Sequence, residues 1–249
     1  MLPEKTLVPT GKDSCVNCGE ILNTPYCPTC GEKNDIPKIT LNSITEEAIS
    51  SFVEMDRGFL YNVKTMLWSP KTLVYAYLRG KRKGVFNPIT FLVVCITIYL
   101  LVERIPSIFN FYAPNSYDHQ EQSAYEFGVQ TGIFIRKYFK FIFVLCMFPL
   151  AFATKTVFSK YNYWENIAIA AFILGQSILL SGLVYLLTGF NLLFNPFLYL
   201  TIAWYTYRIF KTEHNQKDMW ILTFTSAFLF GVLLIAGLGI IGIVLSIFN

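Results

Sequence analysis

Four cysteines near the start of the chain carry its most specific chemistry. They form two turns, Cys15-Val16-Asn17-Cys18-Gly19 and Cys27-Pro28-Thr29-Cys30-Gly31, with eight residues between Cys18 and Cys27. Thiolates bind Zn²⁺ tetrahedrally, and two Cys-x-x-Cys turns supply four ligands from a short stretch of chain. A glycine after each second cysteine permits a tight turn that directs backbone N–H groups toward sulfur. Residues 13–33 are too few to bury a core, so metal binding would supply most of their folding free energy. We therefore expect a structural zinc ribbon held by Cys15, Cys18, Cys27 and Cys30. A rubredoxin-like iron site, disulfides and redox thiols are the competing readings. Four thiolates leave no open coordination position, which argues against catalytic zinc.

The charges around the cysteines narrow what such a head would bind. Lys12 and Lys33 are set against Asp13, Glu20, Glu32 and Asp35, and no basic, aromatic-interleaved face is present. Nucleic acid is not an expected partner. Other chemistry is sparse. The chain has two histidines, His119 and His214, both in expected loops. It lacks His-Glu-x-x-His, Gly-x-Ser-x-Gly and a Gly-x-x-x-x-Gly-Lys phosphate loop, so no enzymatic activity is expected. Cys95 and Cys146 fall inside apolar runs and read as small buried residues.

The elements that position this head are mostly apolar. The 249 residues are 54% hydrophobic and only 14% charged, well below the roughly 25% charge of a soluble domain. Residues 1–83 hold eleven of the twenty Lys/Arg and nine of the sixteen Asp/Glu. The expected fold is an all-α polytopic membrane protein of about five spanning helices. It divides into a disordered start at 1–12, the ribbon at 13–33, a linker with juxtamembrane helices at 34–84, and a transmembrane domain at 85–249. No signal peptide is visible at the N-terminus.

Windows of roughly 20 residues place the spans at about 88–102, 138–158, 164–187, 192–210 and 219–248. The fourth is interrupted by Pro196. The fifth is long enough that it must tilt, protrude or break near Gly237-Leu238-Gly239. Asn87-Pro88 and Asn195-Pro196 each place an N-cap before a first-turn proline; separate uses of one cap are favoured over an internal repeat. The positive-inside rule puts the N-terminus in the cytoplasm and the C-terminus outside. If the fourth span does not cross, the C-terminus returns inside.

Within the spans, ionisable or strongly polar residues are functional candidates. Glu165 sits at the mouth of the third span, Gln176 in its middle, and Asn195 at the start of the fourth. Gln176 reads first as a helix–helix hydrogen bond. Ala171-x-x-x-Gly175 and Ala227-x-x-x-Gly231 permit close helix packing, either inside one chain or in a homo-oligomer.

The stretch before the first span is basic. Arg57, Lys64, Lys71, Arg79, Lys81, Arg82 and Lys83 follow one another with no Asp or Glu between Arg57 and Lys83. Asn42/Ser43 with Glu46 and Glu47 is a helix start signal. From Gly58, Phe59, Leu60, Val63, Met66 and Leu67 recur at helical spacing. Ser69-Pro70 opens a second helix with Leu73, Val74, Tyr77 and Leu78 on one side, and Gly80 ends it. Such a segment suits a bilayer surface with anionic headgroups, each Lys or Arg contributing about 1 kcal/mol there. The plainer reading is that these charges only set topology.

The order of parts resembles a known family. The Cys-x-x-Cys-Gly and Cys-Pro-x-Cys-Gly-Glu-Lys head precedes Gly58-Phe59-Leu60-Tyr61-Asn62-Val63-Lys64-Thr65-Met66-Leu67-Trp68-Ser69-Pro70. Then come Tyr77-Leu78-Arg79-Gly80-Lys81-Arg82-Lys83 and Asn87-Pro88-Ile89. This is similar to the bacterial membrane proteins grouped as domain of unknown function 3667, over roughly residues 13–100. Val85-Phe86 departs mildly from the family's usual linker. The resemblance implies a bacterial inner-membrane protein with a zinc-ribbon head, and it implies no activity. The expected function is non-enzymatic: a cytoplasmic ribbon and basic helices that recruit or sense a cytoplasmic protein. A small transporter or channel regulated by the ribbon, and a lipid-handling protein, are the alternatives.

Overall fold

The structure is a computed structural model that describes residues 14–15, 17–21, 24–31, 58–108, 143–190, 192–211 and 216–248. The chain forms two compact units, Met1–Asn87 and Pro88–Asn249. The expected disordered start, the helix signal at residues 42–47, Arg57, both histidines and residues 138–142 lie outside the described residues.

In the first unit the cysteine turns precede two helices, α1 (Gly58–Trp68) and α2 (Pro70–Leu78). Pro70 stands at the first helical position of α2, where a missing N–H costs nothing. Gly80, at φ +95°, ends it. The Gly80 amide donates to Tyr77 O and the Lys81 amide to Ala76 O, which satisfies carbonyls the helix end would otherwise leave open. The α2 face is the expected one, with Leu73, Val74 and Tyr77 buried. The α1 face is not. Its buried positions are Asn62 and Met66, while Leu60 points outward at 78% exposure. A polar residue occupies the centre of the buried side because the following loop supplies partners for its amide.

The second unit is a helical bundle. Its α-helices among the described residues are α3 (Pro88–Ile108), α4 (Met147–Phe158), α5 (Tyr163–Thr188), α6 (Pro196–Phe210) and α7 (Gln216–Phe248). Short 3-10 turns, Phe143–Cys146 and Leu192–Phe194, lead into α4 and α6. The central helix is α5, packed on α3, α4 and α6; α7 packs on α4 and α6. Its residues 166–178 are all buried, and they are rich in Ala, Gly and Ser, which let neighbouring backbones approach. A Cβ added at Gly175 would lie 2.8 Å from Phe91 Cδ1 and 3.3 Å from Cys95 Sγ. The Ala171/Gly175 pair thus serves packing within the chain, whereas an added Cβ at Gly231 meets nothing within 4 Å. Cys95 and Cys146 are buried as expected.

Gly175 faces Phe91 and Gly182 faces Tyr99, so α3 and α5 run parallel. Short connections make α4, α6 and α7 alternate with α5. The starts of α3, α5 and α7 and the ends of α4 and α6 therefore share one end of the bundle. That end carries Lys155, Lys160, Arg208 and Lys211 among aromatics. Arg208 lies over Trp204 at 5.2 Å, Lys211 over Tyr207 at 5.6 Å, and Tyr207 stacks on Trp220 at 4.2 Å.

Three described helices are long and apolar enough to cross a membrane: Pro88–Ile105, Tyr163–Thr188 and Asp218–Ile240. The second expected span appears as a shorter apolar helix, Phe143–Phe158. The fourth is α6, 15 residues long, or about 22 Å at ~1.5 Å per residue. Five spans are thus not reached by length alone. Of the three alternatives for the last helix, the break is ruled out, since α7 runs unbroken through Gly237 and Gly239; tilt and protrusion stand.

Candidate metal centre

The two cysteine turns are built alike. Gly19 and Gly31 adopt φ +81° and +72°, a region that favours glycine. Their amides close the turns onto carbonyls, Gly19 N to Cys15 O at 2.9 Å and Gly31 N to Cys27 O at 2.7 Å. The glycine N–H groups are thus spent on carbonyls rather than on sulfur. The first turn is also closed as a hairpin, with the Cys15 amide donating to Glu20 O at 2.7 Å and a bridge between Ser14 and Ile21.

These turns bring the four sulfurs together. All four Sγ atoms lie within 4.8 Å of one another, with Cys15 to Cys30 and Cys18 to Cys27 each at 3.5 Å. A disulfide needs about 2.05 Å, and the four cysteines are free thiols. A tetrahedral ion with ~2.3 Å bonds to sulfur sets neighbouring sulfurs about 3.8 Å apart, so the cluster has the dimensions of a four-thiolate metal shell. Cys15 and Cys27 are buried, Cys30 is half-buried and Cys18 is exposed. The donor set fits a metal ion.

The Cys18 thiol is hard to ionise without one. The backbone at Glu20 stabilises the Cys18 thiolate, but desolvation and the Cys27, Cys30 and Cys15 thiols outweigh it, pushing Cys18 up to about 12. Crowding thiolates is unfavourable unless a cation sits among them.

The basic stretch is partly committed to the fold. Lys64, Lys71, Arg79 and Lys83 are exposed, while Lys81 and Arg82 are half-buried. Arg82 lies over the Tyr77 ring at 4.1 Å and donates to Tyr77 O at 2.6 Å. Lys71 lies over Tyr75 at 5.7 Å. The Lys83 ammonium donates to the Cys30 carbonyl. Beside these charges, Leu60, Tyr61 and Trp68 are exposed.

Asn62 holds the basic loop in place. Its Oδ1 accepts from the buried Phe86 amide at 3.2 Å, and its Nδ2 donates to Gly84 O at 3.5 Å. An added Cβ at Gly58 would stand 3.1 Å from Phe86 Cδ2, a tight contact that the ring would have to shift to relieve. Sequence reading passed over Asn62, although an Asn on an otherwise apolar helix face was a signal.

The three polar candidates of the bundle separate. Glu165 forms a capping box with Asn162: Glu165 N donates to Asn162 Oδ1, and Asn162 N to Glu165 Oε2, both at 2.8 Å. Asn195 caps α6 by accepting from Phe197 N at 3.0 Å, and it donates to Ser181 O at 3.4 Å. Gln176 is different. It is buried to 1% exposure, and neither its Nε2 nor its Oε1 has a hydrogen-bond partner. The Tyr205 hydroxyl, also buried, faces Gln176 at the margin of hydrogen-bond range, near enough to interact but outside good geometry. Asn166, unremarked in the sequence, joins α4 to α5 by accepting from Thr154 Oγ1 at 3.1 Å.

Residues 56–100 match the family described as "Protein of unknown function (DUF3667)". The chain resembles that family. The matched stretch covers α1, α2, the basic loop and the first part of α3, where the resemblance in sequence is also densest. The cysteine cluster, which supports the ribbon half of the resemblance, precedes it. No curated protein and no solved structure matches the chain.

Proposed function

We propose that this is a multi-pass membrane protein, of about five spans, that holds a structural zinc ribbon at the cytoplasmic face of a bacterial inner membrane to recruit or sense a partner protein, without enzymatic activity. One observation carries the reading. The four-sulfur shell belongs to the same compact unit as α1, α2 and the basic loop, which expose Lys64, Lys71, Leu60, Tyr61 and Trp68 directly before the first apolar helix. Amphipathic, basic and aromatic surfaces of this kind suit anionic headgroups. The basic end of the bundle, shared by the start of α3, supports a cytoplasmic N-terminus. The shorter α4 and α6 cross if the bilayer thins locally or flanking residues reach to its interface. A closed, non-catalytic set of four thiolates suits structural zinc; iron takes the same donors, and the metal analysis below separates the two.

Metal analysis and proximity labelling test this together. The intact chain in its membrane should hold one zinc and label a reproducible set of cytoplasmic proteins. The Cys15→Ser/Cys18→Ser double variant should lose both. Metal-free protein with a protected ribbon, or labelling indifferent to the cysteines, would sink the proposal.

The buried, unpartnered amide of Gln176 beside Tyr205 favours a second reading, transport of a small uncharged solute. Unsatisfied polar groups are costly in a bilayer and mark pathways. Under that reading Gln176→Leu abolishes solute flux into proteoliposomes. A purely structural Gln176 leaves the flux of empty vesicles unchanged by either protein.

A further inference from the structure

The contact between Lys83 and Cys30 joins parts of the chain 53 residues apart. It rests on the metal reading above and extends it. A divalent ion with four thiolates is a dianion, and such a centre depends on donors and cations around it. The Lys83 ammonium meets the Cys30 carbonyl, and its Nζ would stand 3.3 Å from a Cβ added at Gly31. It therefore reaches the turn that follows the fourth ligand. Gly31 leaves the room for this approach, and its φ of +72° resists replacement.

The loop bearing Lys83 is held on the other side. Asn62 fastens Phe86 and Gly84 to α1. Arg82 is anchored on Tyr77 of α2 by its ring contact and its hydrogen bond. Lys83 thus leaves a braced loop and ends on the metal-binding turn. Its neighbour Lys81 belongs to the same loop, and its amide completes the end of α2.

We infer that Lys83 is an outer-shell positioning residue of the metal centre, stabilising the loaded cluster electrostatically and linking metal occupancy to the order of the basic loop. The link is reciprocal. Whatever orders the loop around Lys83 strengthens metal binding by the same factor that metal strengthens the loop. A cluster assembled from the cysteines alone would have no such link.

Cobalt is a suitable probe, because its tetrahedral thiolate complex is coloured. The full-length chain in nanodiscs is titrated with Co²⁺ against a competing chelator, as wild type, Lys83→Gln, Lys83→Arg and Lys81→Gln. Lys83→Gln should bind about ten- to a hundredfold more weakly. Lys83→Arg should recover much of the loss, and Lys81→Gln should stay close to wild type. Amide exchange at residues 81–84 should slow on metal addition in wild type but not in Lys83→Gln. Equal affinities for wild type and Lys83→Gln, or exchange at 81–84 indifferent to metal, would overturn the inference while leaving the metal centre intact. A wild type without tetrahedral thiolate bands would overturn both.

Discussion

The cysteine head and the bundle solve the same problem by opposite means. Among its described residues the head buries little beyond Cys15 and Cys27; backbone bonds at Gly19 and Gly31 shape it around four thiols that could hold an ion. The bundle buries residues 166–178 of α5 throughout and joins that helix to its neighbours by side-chain hydrogen bonds at Asn166 and Asn195. A short segment cannot gain enough from apolar burial to offset its chain entropy, whereas a bundle of long apolar helices can. Specific chemistry is therefore concentrated where packing is weakest.

Removing the metal should break the comparison most sharply. Structural zinc in small peptides supplies about 10–16 kcal/mol near neutral pH. Cys27→Ser or a strong chelator should abolish amide protection across residues 14–31 while α5 keeps its own. Hydrogen exchange read by mass spectrometry checks this, and a head that stays protected would contradict it.

In the bundle the corresponding weak point is a contact, not a ligand. Gly175→Leu should cost at least about 1–3 kcal/mol by forcing α5 away from Phe91. Gly231→Leu on α7, where an added Cβ meets nothing within 4 Å, should leave thermal unfolding nearly unchanged. Equal losses from the two would mean that α7 has a close neighbour after all.

Asn62→Leu tests the polar fastening of the basic loop. It leaves the buried Phe86 amide without its acceptor, which should cost about 1–3 kcal/mol. Faster exchange at residues 84–86, with the second unit unaffected, is the expected signature.

The smallest effect is the most diagnostic of the head. In the metal-free cluster the raised Cys18 thiol favours the protonated fold below its ordinary value of 9.0, a preference lost as pH rises through about 12. Loading must expel such protons, so metal affinity should fall as pH drops and rise above neutrality. Chelator competition at several pH values measures the slope; a flat profile would mean that the thiols are already ionised.

Much of this was legible in local sequence. The Cys-x-x-Cys-Gly spacing, Pro70 and Gly80 around α2, and the Asn195-Pro196 cap are rules of neighbouring residues, and each appears where such rules put it. On α1 the departures are Leu60, which periodicity counts as inward, and Asn62, because periodicity has no term for an amide with a distant partner. Asn166 was passed over for the same reason, and Glu165 was noticed as a charge when it serves a cap. At the fourth expected span hydropathy runs ahead of the helix, since Leu192–Phe194 form a 3-10 turn before the Asn195 cap.

The sequence by itself determined the four-cysteine pattern, the helix order and the basic approach to the first apolar helix, since these follow from short-range spacing and composition. Tertiary structure decided which polar residues find partners. It gave Asn62 the Phe86 amide, gave Asn166 the Thr154 hydroxyl, left Gln176 with none, and brought Lys83 to Cys30. Those pairings depend on where the folded chain places groups far apart in sequence, and no local pattern encodes that distance.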